Sequence, residues 1–285
     1  MSLRGTITSL CLLLLASLTS AARSPKVSFH FIQYPGAAAT YVFGVSRNNI
    51  AVGGYVDTGN VFHGFILAGG QFSTLDDPNG VGSTNLTGVN SSSTAVGYYQ
   101  DSQGTFHGLM CSKGVFTDIG PPGAMQSYAY GINDSGEIVG QFMDTDGLLK
   151  GWILNSGTYQ TIEVPGGSNT LVYGINAQGI STVQWNDSAN NTQSSTYDGT
   201  TFTPISVPGA VSSYAHGIDS SGNVVFAWTD SAGNFHGAAL VNGKYRTFDV
   251  SGCIDTFADA ITDKRIVAGV CQQTSTTSEG FYTVY

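Results

Sequence analysis

Basic side chains are scarce in this chain. Ten Lys and Arg stand against 19 Asp and Glu, a formal net charge of −9 with a pI near 4.7. Binding a phosphate backbone needs clustered Lys and Arg, which excludes nucleic acid as a partner. Attraction to an anionic membrane surface is disfavoured for the same reason. Charge of either sign is sparse, at 10% of residues, so the acidic balance serves solubility rather than recognition. Stretches rich in Lys, Glu or Ala with a helical period are few, and helix is therefore expected to be rare. Beyond the N-terminus no apolar run is long enough to span a bilayer. The chain has no G-x-S-x-G, H-E-x-x-H, P-loop or dinucleotide fingerprint, so no catalytic residue is identified and no cofactor or metal is expected.

What is present begins with a targeting pattern. Arg4 supplies a positive n-region, Leu10 to Leu15 with Ala16 form an apolar core, and Ser20-Ala21-Ala22 places small residues before Arg23. That reads as a cleaved secretory signal over 1–22, an extracellular protein, and one domain over 23–285. Cysteine use agrees with export. Cys253 lies in the loop entering the last repeat and Cys271 ends its second strand, which predicts a Cys253–Cys271 disulfide; Cys111 is left as a small strand residue. Five N-x-S/T sequons start at Asn85, Asn90, Asn133, Asn186 and Asn190. In so Ser/Thr/Asn-rich a chain many arise by chance.

The stretch Tyr128 to Ile153 shows the organising unit: apolar run, Asn-Asp-Ser-Gly turn, apolar run, Asp-Thr-Asp-Gly turn, apolar run. Short strands joined by tight hairpins have this pattern. Aligned on the residue after its first strand, the unit recurs at Gly44, Gly88, Gly131, Gly174, Gly217 and Ala260, at intervals of 44, 43, 43, 43 and 43 residues. A period in the forties with several strands per unit predicts an all-β, six-bladed β-propeller of four-stranded blades. A fourth strand ends each of several units in a Pro-Gly turn, as at Pro165-Gly166 and Pro208-Gly209. The sixth unit stops in its third strand, and its missing fourth strand is found at Val27 to Gly36. The N-terminal strand should complete the last blade.

These motifs together, G-I/V-N-x-x-G-x-I-V-G-x-Y-x-D-x-x-G-x-x-H-G-F followed by a strand ending in P-G-A, resemble the HAF-type extracellular repeats of bacterial secreted proteins. The resemblance covers nearly all of residues 23–285. It implies a repeat architecture and no particular activity. Unit four departs most, with Gln193-Ser194 in place of His-Gly, and unit six has Gln273 where the others have Asp.

Three sets of side chains are candidates for chemistry. The repeated Asp57, Asp101, Asp144, Asp187 and Asp230 sit where the second strand turns into the third, a place for a carboxylate to accept backbone N–H groups two or three residues on. His63, His107 and His236 follow six residues later. They lie on different blades, too far apart to share one zinc ion, and are expected to bond the Asp across the hairpin as structural braces. Aromatics at Tyr55, Tyr99, Phe142, Trp185 and Trp228 are expected to pack blade against blade. The residue before each anchor varies instead: Phe43, Thr87, Tyr130, Tyr173, His216, Asp259. On the innermost strand these border the central channel, and Tyr130, Tyr173, His216 and Asp259 form a candidate ligand-binding set suited to a sugar or aromatic ligand.

Two functions compete. One is a secreted, monomeric binding module for a glycan, a cell-surface component or a protein. The alternative is a carbohydrate- or lactone-active hydrolase or lyase at the axial mouth, resting on fold analogy alone. Its carboxylates would come from Asp259, Asp255 and Glu163, which the repeat pattern does not bring together.

Overall fold

The computed structural model describes residues 28–274 and 277–284; the expected signal over 1–22 lies outside them. Six four-stranded antiparallel sheets stand in a ring, each formed by one unit of the repeat. Blade three is typical, with strands Gln126–Ile132, Ile138–Met143, Leu149–Asn155 and Thr158–Ile162 paired in sequence order. The protein is a six-bladed β-propeller.

Burial peaks at the second strand of each blade: the inner strands alternate because one face borders the channel, and the outer strands are open to solvent. The second strands, such as Ile138–Met143, are buried at nearly every position because both faces meet neighbouring blades. The fourth strands, such as Thr158–Ile162, alternate and are largely exposed. The core consequently lies between blades. Val139 and Ile153 of blade three pack with Val172, Val183 and Tyr197 of blade four, and Val52 of blade one packs with Leu86 and Leu109 of blade two.

The inner strands are Ala39–Val45, Thr84–Val89, Gln126–Ile132, Ser168–Ile175, Ser212–Ile218 and Asp255–Ile261. Each contacts the next around the axis, and the sixth contacts the first. The anchor glycines sit at those contacts. A Cβ added to Gly131 would lie 2.5 Å from the Tyr173 carbonyl oxygen, and one on Gly174 would lie 2.4 Å from that of His216. Only glycine lets backbone approach backbone so closely.

Closure follows the sequence expectation. Phe29–Ile32 pairs antiparallel with Ser278–Val284, so blade six takes its outer strand from the other end of the described chain. The Thr283 hydroxyl donates to the Ser28 carbonyl at 2.8 Å, and the Phe29 ring meets Phe281 edge-on at 5.5 Å. Cys253 and Cys271 form a disulfide within the same blade, Cα atoms 5.4 Å apart. Cys111 is a buried free thiol whose pKa burial pushes up.

The disulfide closes an 18-residue interval, for which loop entropy predicts a contribution of about 3 kcal/mol. Cys253→Ser/Cys271→Ser is expected to lose that much in urea unfolding relative to wild type; an unchanged midpoint would refute it. Gly131→Ala is expected to cost about 1–3 kcal/mol, because its methyl meets a backbone atom rather than a side chain that can turn away. The same titration measures it.

Candidate functional site

One β-bulge per blade builds the channel wall. In blade one Val42 pairs with Gly53 and Gly44 with Val52, so Phe43 is the extra residue. The register slips in the same way around Thr87 in blade two, Tyr130 in blade three and Asp259 in blade six. Slips in blades four and five span Tyr173 and His216. A bulge leaves its extra residue out of the ladder and re-aims its side chain. The four candidates read from the sequence all occupy this position, and the structure brings them side by side on blades three to six. Tyr130 and Tyr173 stack at 5.3 Å between ring centroids, Tyr173 meets His216 at 4.5 Å, and His216 Nδ1 lies 2.8 Å from Asp259 Oδ1. The same Nδ1 is 3.1 Å from the Ala258 carbonyl, so both acceptors call for the proton on Nδ1.

Level with the anchors is an axial cavity of about 80 Å³, lined by Phe43, Thr87, Tyr130, Tyr173 and Asp259 among others. That is room for about six water molecules. Burial raises the pKa of the Tyr130 and Tyr173 hydroxyls, and the negative charge of Asp259 adds to the effect on Tyr173. Both phenols therefore stay protonated at neutral pH. Asp259 is the one carboxylate on this wall among the described residues. Glu163 instead pairs with Lys150 at 3.4 Å, and Asp255 accepts the Phe235 N–H at 3.1 Å. Glycoside hydrolysis by paired acids needs a second carboxylate roughly 5–10 Å from the first, and the cavity has none.

Above this layer, two residues earlier on each inner strand, is a ring that sequence reasoning passed over: Tyr41, Asn85, Tyr128, Leu171, Tyr214 and Phe257, all half-buried. Aromatics from the third strands extend it. Phe62 lies 5.7 Å from Tyr41, Phe106 lies 5.3 Å from Tyr128, and Phe235 lies 5.5 and 5.0 Å from Tyr214 and Phe257. Tyr98 joins the group edge-on to Tyr128 at 5.0 Å, its hydroxyl pushed up to about 12 by burial. The period-2 alternation of a strand, counted back from the varying position, is the signal that could have found this ring. Below the cavity Val45, Val89, Ile132, Ile175, Ile218 and Ile261 form an apolar collar, which a second space of about 120 Å³ at the lower mouth shares.

That lower mouth is tied by a hydrogen-bond chain also missed from sequence. Asn133 Nδ2 donates to the Asn176 carbonyl at 3.0 Å, and Asn176 Nδ2 donates to that of Asp219 at 3.0 Å. Each Asn meanwhile uses Oδ1 to accept two backbone N–H groups of its own hairpin. The Asn of the G-I-N motif thus fixes a turn and links two blades.

The repeated Asp residues lie on the outer part of the blades. Asp101 Oδ1 accepts the N–H groups of Gln103 and Thr105, two and four residues on rather than two and three, and Asp57, Asp144, Asp187 and Asp230 do the same. The second oxygen meets the residue across the hairpin: His107 at 2.9 Å, His63 at 3.5 Å, His236 at 3.4 Å, Lys150 at 3.1 Å and Gln193 at 2.9 Å. In blade six the polarity reverses, with Gln273 donating to Glu279 at 2.9 Å. Tyr55, Tyr99, Phe142, Trp185 and Trp228 join apolar clusters that span neighbouring blades, as expected; three of them also cover their own blade's His, Tyr55 on His63, Tyr99 on His107 and Trp228 on His236, at 5.0, 5.1 and 4.5 Å. No group of three or more His, Cys, Asp or Glu able to hold a metal ion occurs among the described residues.

No family model matches the chain, and no curated protein matches its sequence. Solved structures do match its fold. A mutant of the Aleuria aurantia lectin bound to Fucalpha1-6GlcNAc aligns with a TM-score of 0.55 at 10% identity, covering 88% of this chain and 92% of the lectin. The SapL1 lectin bound to alpha methyl fucoside aligns with a TM-score of 0.58 at 11% identity, covering 87% and 94%. Trypanosoma rangeli sialidase aligns at 0.53 and 9% identity, covering 91% of this chain and 59% of the enzyme. At such identities the likeness is one of fold.

The braces make stability depend on pH. Burial lowers the pKa of His63 and His236, but hydrogen bonds and charge from Asp76 and Asp57, and from Asp249 and Asp230, outweigh it, and both end above the usual 6.5. A raised histidine pKa contributes stability fully below 6.5 and loses it as pH rises through the folded value. Asp57 is held below its usual 3.8, first by the Val61 N–H, and Asp230 first by the Asn234 side chain; their contribution is present above 3.8 and lost on acidification. The melting temperature is therefore expected to fall as pH rises from 6 to 9. His63→Gln/His236→Gln should flatten that slope, and parallel wild-type and variant profiles would refute the linkage.

Proposed function

We propose that this chain is a secreted carbohydrate-binding module whose sugar docks at the axial mouth of the propeller. One observation carries the reading: half-buried aromatic rings from blades one, two, three, five and six surround the mouth, above a wall of tyrosine hydroxyls and a single acid. Rings supply flat apolar faces for the C–H surfaces of a pyranose, and the polar groups below offer hydrogen bonds that fix its orientation. The fold likeness to two lectins solved with fucosides supports the same class of ligand. Export is supported by the Cys253–Cys271 disulfide and by the expected signal over 1–22. HAF-type repeats and a monomeric state belong to the same proposal. The absence of a second carboxylate at the cavity weighs against the hydrolase or lyase reading.

A glycan array probed with residues 23–285, followed by calorimetry on the hits, tests this. Tyr128→Ala and Tyr214→Ala should each weaken the best ligand by about 1 kcal/mol, roughly fivefold, the worth of one aromatic contact. Binding to no glycan, or binding that neither substitution alters, would overturn the proposal.

A further inference from the structure

We propose that the seam where the ring closes, between blades six and one, holds a site for a compact neutral apolar molecule, and that its occupant helps keep the ring shut. This goes beyond the sugar reading and does not depend on it, because the site uses neither the aromatic mouth nor the polar wall of the axial cavity.

A cavity of about 230 Å³ lies there, walled by Ile32 of the N-terminal strand, Ile266 and Ala268 of blade six, and Val45, Ala51 and Leu67 of blade one. Asn49 and Tyr282, both exposed, complete the wall and open it to solvent. Comparison with the other interfaces explains the space. Eight residues past each anchor stand Val52, Val96, Val139, Thr182 and Val225, all fully buried, whereas blade six has Ala268. Val52 packs in one cluster with Ala95 of the next blade, Val96 with Ile138, and Val225 with Val267. At the seam Ala268 meets Ala51, the smallest such pair. Tyr282 is drawn onto His30 of the outer strand, 4.9 Å between ring centroids, and is 36% exposed rather than packed across the gap. Ile32 is accordingly only half-buried, where its counterparts Ile119, Ile162 and Ile205 are buried.

The walls decide the occupant. They are aliphatic apart from Asn49 and Tyr282, and no charged side chain lines them. A buried water needs about two to four polar partners and finds few here. An ion or a sugar would give up hydrogen bonds to water that these walls cannot replace. A dry apolar cavity of about 150 Å³ takes up benzene, so this one has room for a ring with a short alkyl substituent. Such a molecule touches the N-terminal strand, blade six and blade one together, making the contacts that the Ala51–Ala268 pair leaves unmade. A ligand that binds only the closed ring stabilises closure by mass action.

Toluene is the probe, and benzoate, the same ring bearing a charge, is the control. Toluene is expected to raise the wild-type melting temperature in a saturable way, where benzoate does not, and to slow hydrogen exchange in Phe29–Ile32 and Ser278–Val284. Ala51→Ile/Ala268→Val installs the pair that Ile138 and Val96 already make between blades three and two, so the fold has a precedent for it. This variant should melt higher than wild type and bind toluene more weakly by about tenfold or more. Saturation-transfer NMR on wild-type protein gives a readout that needs no variant: irradiation of aliphatic methyl protons should reach the toluene ring. An equal response to benzoate, no transfer, or undiminished affinity in the double variant would each overturn the site. Hydrogen exchange in the two closing strands left unchanged by bound toluene would overturn its role in closure.

Discussion

The close approach of inner-strand backbones around the axis is the contact on which the rest of the molecule depends. At Gly44, Gly131 and Gly174 there is no space for a Cβ, since the next blade's carbonyl oxygen would lie 2.8, 2.5 or 2.4 Å away. With backbones that near, the six blades cannot tilt independently, and a bulge just before the contact has one open direction for its side chain, the channel. The ring therefore fixes both the narrowness of the axial cavity and which position of each inner strand stands beside it. Fold and candidate site share one cause.

The outer parts of the blades follow a looser rule. The hairpin brace is made by Asp with His, Asp with Lys, Asp with Gln, and in blade six by Gln with Glu in the reverse sense. What is kept is a hydrogen bond across the hairpin, while the charges that make it are free to change. Exposed pairs of this kind contribute little each, which is why such variety is tolerated. At the bulges the residue also varies, from Phe43 and Thr87 through Tyr130 and Tyr173 to Asp259, and there each difference alters the lining of the axial cavity.

Much of the architecture was legible in the sequence because it repeats. The 43-residue spacing, the Pro-Gly turns and the stray strand before Gly36 carry the blade count and the closure, and the Cys253–Cys271 pairing follows from where the repeats place the two residues. The bulges were not legible, because an extra residue exists only in the register between two strands, and Phe43 or Tyr130 alone gives no sign of it. The Tyr41–Tyr128–Tyr214 layer was hidden because its members sit on strands whose buried partners share their apolar character. Asn133 and Asn176 read as turn formers, and nothing in one hairpin reveals a bond to the carbonyl of the next.

The pairing of Phe29–Ile32 with Ser278–Val284 sets a condition on how the molecule can be made. Ser28 and Thr283 are bonded although 255 positions separate them in the chain. As the polypeptide lengthens, blades one to five can form in turn from neighbouring segments, while the early strand waits unpartnered until almost everything else exists. Closing so large a loop is slow, and its entropic cost is met only when the ring shuts. Assembly is thus expected to end in a single late, all-or-none step, with an open arc of blades as the species most exposed to mispairing.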